Sequence, residues 1–134
     1  MKLVKGRRLD AVIDDGVPLA ERLTLFSRIL EAVGFAHAHG IVHRDLKPDN
    51  VFLATDEEQL QPKLVDFGIV KLAGQSEAEK PLTQAGVVLG SPEYMSPEQA
   101  RGRDDLDHRT DIWSFCVVLY EALAGATPFA ACLL

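Results

Sequence analysis

Eight residues, His43-Arg44-Asp45-Leu46-Lys47-Pro48-Asp49-Asn50, constrain this chain more than any other stretch. Pro48 and the density of charge forbid a buried helix or strand here, so residues 41–50 read as a loop. Before the loop, Pro18 opens a helical pattern. Leu19, Leu23, Phe26, Ile29 or Leu30, Val33 and Ala36 recur at spacings of three and four. Gly40 is placed to stop that helix. After the loop, residues 51–54 and 63–65 read as two short strands, and the polar stretch 55–62 pairs them as a hairpin. The hairpin returns Asp66-Phe67-Gly68 to the side of the chain that carries the loop.

The rest of the chain is read the same way. Residues 1–5 look like the end of a strand broken by Gly6, residues 7–14 like a short helix, and Asp14-Asp15-Gly16 like a turn. Residues 68–97 hold four glycines and three prolines with little periodicity, and a loop this long is usually functional. Thr110 can cap a helix with Asp111 in its first turn. That helix, 112–124, is apolar nearly all round, as befits the centre of a domain, and Gly125 and Pro128 end it.

A chain of 134 residues, 47% hydrophobic, suits one compact domain. The net charge of −6 argues against a nucleic-acid partner. No segment approaches the roughly 20 apolar residues of a membrane span. No apolar run follows the basic start Met1-Lys2-Leu3-Val4-Lys5-Gly6-Arg7-Arg8, so a signal peptide is not expected. Cys116 and Cys132 lie in apolar runs and read as small buried hydrophobes. That fits a reducing, cytoplasmic setting. The cluster Asp104, Asp105 and Asp107 lacks the spacing and glycine of a calcium loop and reads as a solvated turn. His37, His39 and His108 are given no role.

The eight-residue run, with Asp66-Phe67-Gly68 shortly after it, resembles the catalytic and metal-binding loops of protein kinases. Two further blocks follow in the family's order, Gly90-Ser91-Pro92-Glu93-Tyr94-Met95-Ser96-Pro97-Glu98 and Asp111-Ile112-Trp113-Ser114. Polar loop residues making turns would account for any one block but not for all four. Leu82-Thr83-Gln84 and Ser96-Pro97-Glu98-Gln99-Ala100-Arg101-Gly102 are most similar to the bacterial, eukaryotic-like Ser/Thr kinases. The implied fold is mainly α with a small β-hairpin, a partial kinase C-terminal lobe. Residues 1–134 would form one partial domain of hinge, catalytic loop, activation segment and central helix.

The resemblance implies a reaction, transfer of the ATP γ-phosphate to Ser/Thr hydroxyls of protein substrates, and a set of residues. Asp45 would be the base, and Lys47 would neutralise charge on the transferred phosphate. Asn50 and Asp66 would hold Mg2+. Lys2 and Val4 match the hinge that bonds adenine. Phe52 matches the apolar floor under adenine, or is plain core. Arg44 would bind a phosphate carried on Thr83, unless Thr83 is an ordinary loop residue. Asp111 would anchor the catalytic loop, or only begin its helix. His43 reads as structural. Ser91 stands where a threonine is usual and Cys116 where a glycine is usual.

Other kinase parts are not in this sequence. It contains no Gly-x-Gly-x-x-Gly and no Val-Ala-x-Lys. The implied reading is a fragment without the N-lobe and the last C-lobe helices, and so without the arginine that pairs with the glutamate matched by Glu98. Such a chain is expected to be inactive alone, with a complementing N-lobe or another kinase as a partner. The alternatives are a non-catalytic docking or decoy module, or a gene remnant.

Overall fold

The structure, a computed structural model, describes residues 5–56, 59–67 and 91–130. Strand β1 (Gly6–Arg8) leads into helices α1 (Leu9–Asp14) and α2 (Leu19–Ala38). A 3-10 turn, Pro48–Asn50, then opens strands β2 (Val51–Asp56) and β3 (Gln59–Leu64). A second 3-10 turn, Pro92–Tyr94, precedes the short helix α3 (Pro97–Ala100) and the long helix α4 (Arg109–Ala124).

The strands form one antiparallel sheet in the order β1-β2-β3. The hairpin is thus longer than the sequence implied, and it carries a third strand. Gly6 does not break a strand but opens β1, opposite Ala54. A Cβ at Gly6 would lie 2.3 Å from the Leu53 carbonyl oxygen and 2.6 Å from a Phe52 ring carbon. Glycine is what lets the strands come this close. Pro62 is tolerated because β3 is an edge strand.

Helix α2 buries Leu25, Phe26, Ile29, Val33 and Ala36, while Leu19, Leu23 and Leu30 face outward. A helix advances about 100° per residue, so these three leucines are turned roughly a quarter turn from the buried stripe. The core joins Leu9 and Val12 of α1, the α2 stripe, Val51 and Leu53 of β2, and Phe115, Val118 and Ala122 of α4. Phe26 and Phe115 meet edge to face at 5.8 Å. Leu46 is buried in the same cluster, which seats the loop 41–50 on the core.

Helix α4 begins before Thr110, so Thr110 is not its cap. Its buried hydroxyl instead meets Ser96 Oγ at 2.7 Å. The Asp107 carboxylate accepts from the Arg109 N–H at 2.9 Å, and Gly125 ends the helix in the left-handed conformation. One face of α4 is core, while Ile112, Trp113, Tyr120 and Leu123 are exposed. Cys116 is exposed among them, which corrects its reading as a buried hydrophobe. It faces an open groove with Trp113, Tyr120 and Phe129. No helix among the described residues is long and apolar enough to cross a membrane.

Candidate active site

The site grows from the loop between α2 and β2. Asp111, in the first turn of α4, is 1% exposed. Its carboxylate accepts the backbone N–H groups of His43 at 2.7 Å and Arg44 at 2.8 Å. Arg44 has φ 66°, a left-handed conformation that costs a non-glycine residue about 1–3 kcal/mol. The Arg44 carbonyl accepts from Gln99 Nε2 at 2.7 Å. The strained peptide is thus held from both sides, by α4 and by α3.

Gln99 does two jobs. Its Oε1 accepts from the Ser96 N–H at 3.0 Å while Ser96 Oγ accepts from the Gln99 N–H, a capping box at the start of α3. The Ser-x-x-Gln spacing is visible in the sequence; its reach to Arg44 is not.

His43 is buried. Its Nε2 donates to the Val65 carbonyl at 2.9 Å, and its Nδ1 accepts from the Asp45 N–H at 3.3 Å. Its ring lies 4.5 Å from that of Phe67. His43 therefore ties the loop to the Asp66-Phe67 segment. Asn50 donates from Nδ2 to the Asp45 carbonyl at 2.8 Å and to Asp45 Oδ2 at 3.3 Å. That turns Oδ1 of Asn50 the other way. Val51 pairs with Leu64, and the Val65 N–H donates to the Asn50 carbonyl at 2.9 Å. The register sets Asp66 one residue beyond Asn50's neighbour. Asp66 has φ 54°, which aspartate tolerates better than most residues. An amide oxygen and an exposed carboxylate are hard oxygen donors, the kind Mg2+ takes. These two residues therefore fit the ion. Lys47 Nζ donates to Ser91 Oγ at 3.4 Å and so reaches across to the segment before α3.

The other residues singled out by sequence fall as follows. Phe52 is half-buried under Gly6 and is not part of the buried core cluster. Glu98 is half-buried at the groove formed with Arg109 and Trp113. Lys2, Val4 and Thr83 lie outside the described residues, as does Cys132. Asp104, Asp105 and Asp107 are exposed, and Asp105 pairs with Arg103 at 2.5 Å, as a solvated turn would.

Sequence reasoning missed two contacts. His37, denied a role, has Nε2 2.8 Å from Asp111 Oδ2. Its position four residues after Val33, at the edge of the buried stripe of α2, was the available signal: a half-buried histidine there needs a partner. The Tyr94 hydroxyl donates to Glu121 Oε2 at 2.6 Å. Burial, then the Glu121 hydrogen bond and the charges of Glu121, Glu93 and Asp49, push the Tyr94 phenol well above its ordinary range.

The family model for the protein kinase domain matches residues 1–132. The chain is 41% identical over 134 residues to the serine/threonine-protein kinase pkn3 of Myxococcus xanthus, aligning 96% of itself with 24% of that protein. It is 39% identical over 131 residues to the serine/threonine-protein kinase PknB of Mycobacterium leprae, aligning 96% of itself with 20% of that protein. It superposes on the PknI kinase domain of Mycobacterium tuberculosis with a TM-score of 0.68 at 27% identity, covering 96% of this chain and 44% of that one. The chain thus spans about a quarter or less of those curated relatives and under half of that solved kinase domain. On the family match and these relatives, the chain belongs to the protein kinase domain family, in its bacterial Ser/Thr branch, and has a partial kinase fold.

Proposed function

We propose that this chain is the catalytic-loop half of a Ser/Thr protein kinase domain that transfers the γ-phosphate of ATP to Ser/Thr hydroxyls of proteins. Residues 1–134 would supply hinge, catalytic loop, activation segment and central helix. The observation that carries this reading is the Asn50 amide bonded to Asp45 while the β2–β3 register sets Asp66 beside Asn50. On this reading a base and two oxygen ligands would converge where the loop meets the hairpin.

In this reading Asp45 takes the proton of the acceptor hydroxyl as its oxygen bonds to the γ-phosphorus and the bond to ADP breaks. Lys47 offsets charge on the transferred group. Asn50 Oδ1 and the Asp66 carboxylate would hold Mg2+, which would supply neutralisation of phosphate charge. Lys2 and Val4 would bond adenine through the backbone, and Phe52 would be its apolar floor. Glu98 is structural, and Asp111 holds the loop so that Asp45 is presented. A phosphate on Thr83 would be read by Arg44 and order the activation segment. The use of ATP and the pair of thiols agree with a cytoplasmic protein. The chain would act together with an N-lobe.

The test is a split between turnover and affinity in the chain restored to a full kinase domain with an N-lobe. Asp45→Asn should cut the rate by roughly 10²–10⁴-fold and leave ATP affinity nearly unchanged. Asp66→Asn should also weaken Mg2+-dependent ATP binding. Equal effects of the two changes on ATP affinity would contradict the assigned roles.

A further inference from the structure

Gln99, in α3, is one end of a chain of contacts that runs to the candidate base. Its side-chain amide works as a fork. Oε1 accepts from the Ser96 N–H at 3.0 Å, and Nε2 donates to the Arg44 carbonyl at 2.7 Å. A backbone N–H only donates and a carbonyl only accepts, so a single orientation of the amide makes both bonds. The position therefore asks for one acceptor and one donor side by side. Glutamate offers two acceptors at the same reach. Methionine offers no donor and only a weak acceptor.

The Arg44 carbonyl and the Asp45 N–H belong to one planar peptide group. Gln99 holds its carbonyl end, and His43 Nδ1 accepts from its N–H end at 3.3 Å. On the far side of Asp45, Asn50 Nδ2 holds the Asp45 carbonyl at 2.8 Å. The plane of the first peptide helps set the direction in which Asp45 points its carboxylate. Arg44 sits at φ 66°, so that plane is not the one a relaxed chain would choose. Lys47 Nζ meanwhile donates to Ser91 Oγ at 3.4 Å. The stretch from Ser91 to Ala100 therefore grips the loop at Lys47 and at Arg44, and the second grip acts on the peptide that carries the base.

We propose that Gln99 is a positioning residue for Asp45: its amide ties the cap of α3 to the Arg44–Asp45 peptide, so the base is presented for transfer when residues 91–100 are folded onto the loop and is turned away when they are not. This rests on the kinase reading above. Gln99 acts through the peptide plane and not on the reacting atoms. The leverage is large, because a misplacement of about 1 Å at a reacting group can cost about 100-fold in rate. In that reading ATP is held by other residues, so the loss falls on turnover and not on affinity.

The experiment uses the chain restored to a full kinase domain with an N-lobe, and reads kcat, KM for ATP and hydrogen exchange at the Asp45 amide. Gln99→Glu keeps the acceptor that caps α3 but sets a second oxygen against the Arg44 carbonyl. Gln99→Met removes the donor and weakens the cap. Ala100→Gly weakens α3 and leaves the fork in place. Gln99→Glu and Gln99→Met should each lower kcat by about 10- to 100-fold, with KM for ATP within about threefold of wild type. Both should speed exchange at the Asp45 amide by about tenfold or more, while Ala100→Gly stays within about threefold of wild type in kcat. A cap that only supports α3 gives a different pattern: Gln99→Glu close to wild type, with Gln99→Met and Ala100→Gly impaired together. That pattern overturns the proposal, and so does unchanged kcat in both Gln99 variants. If the wild-type domain transfers no phosphate, the kinase reading fails and exchange at Asp45 decides the link by itself. Faster exchange in both Gln99 variants sustains the link, and unchanged exchange overturns it.

Discussion

Removing the Asp111 carboxylate tests how the loop is held. Asp111→Ala would leave the buried N–H of His43 and the part-buried N–H of Arg44 without acceptors and take away the partner of His37. Each orphaned buried donor costs about 1–3 kcal/mol, and breaking a buried charged network typically costs about 3–5 kcal/mol in all. Asp111→Asn is gentler. Its amide oxygen can still accept one N–H, while its NH2 group faces the other donor, so about 2–3 kcal/mol is expected. Urea titration followed by Trp113 fluorescence reads this as a midpoint lowered by roughly 1–2 M at unchanged slope. Hydrogen exchange separates this from general weakening. The amides of His43 and Arg44 should lose protection well beyond those of the α2 core, because Arg44 at φ 66° has no reason to keep its strained conformation unaided. An Asp111→Asn protein within about 0.5 kcal/mol of wild type, with both amides still protected, would refute the reasoning.

Other changes have equally definite outcomes. Gly6→Ala should cost about 1–3 kcal/mol in thermal melting and loosen β1 from β2, because the added carbon meets backbone atoms of Leu53 and Ala54 that cannot rotate away. Ser96→Ala and Thr110→Val each break the buried 2.7 Å contact between the hydroxyls, so their stability losses, measured in a double-mutant cycle, should be clearly non-additive. Asp10 is held below its ordinary value of 3.8, chiefly by the Arg8 hydrogen bond. Its contribution is therefore full above that value and fades as pH falls through the lower folded value, and Arg8→Ala should remove this part of the acid sensitivity in melts taken below about pH 4. The 134-residue chain expressed alone holds no glycine-rich loop and should transfer little phosphate; robust turnover abolished by Asp45→Asn would contradict this.

The sequence made the chemistry more legible than the architecture. Asp45, Asn50 and Asp66 could be singled out because they lie in short strings that resemble the loops of the family, and the helices announced themselves through Pro18, Gly40 and Gly125. What stayed hidden depends on partners distant in the chain. Gly6 looked like a break because only the facing Leu53 carbonyl shows why glycine is needed there. Leu19 and Leu23 kept the right spacing but sit a quarter turn from the face that α4 and the sheet cover. Thr110 looked like a cap because Ser96, fourteen residues earlier, supplies the contact that claims its hydroxyl. His37 and Gln99 bond to Asp111 and Arg44 across separations of 74 and 55 residues, which no local pattern encodes. Cys116 followed the apolar run around it, yet the run encircles a helix only one face of which is core.

The most direct measurement of the central claim is transfer of labelled γ-phosphate from ATP, with Mg2+, to a protein substrate by the chain restored to a full kinase domain with an N-lobe and by its Asp45→Asn variant, followed by identification of the labelled amino acid. The account predicts label on serine or threonine and a fall of roughly 10²–10⁴-fold in the variant. Label that persists undiminished in Asp45→Asn, or a wild-type protein that transfers none, would contradict it.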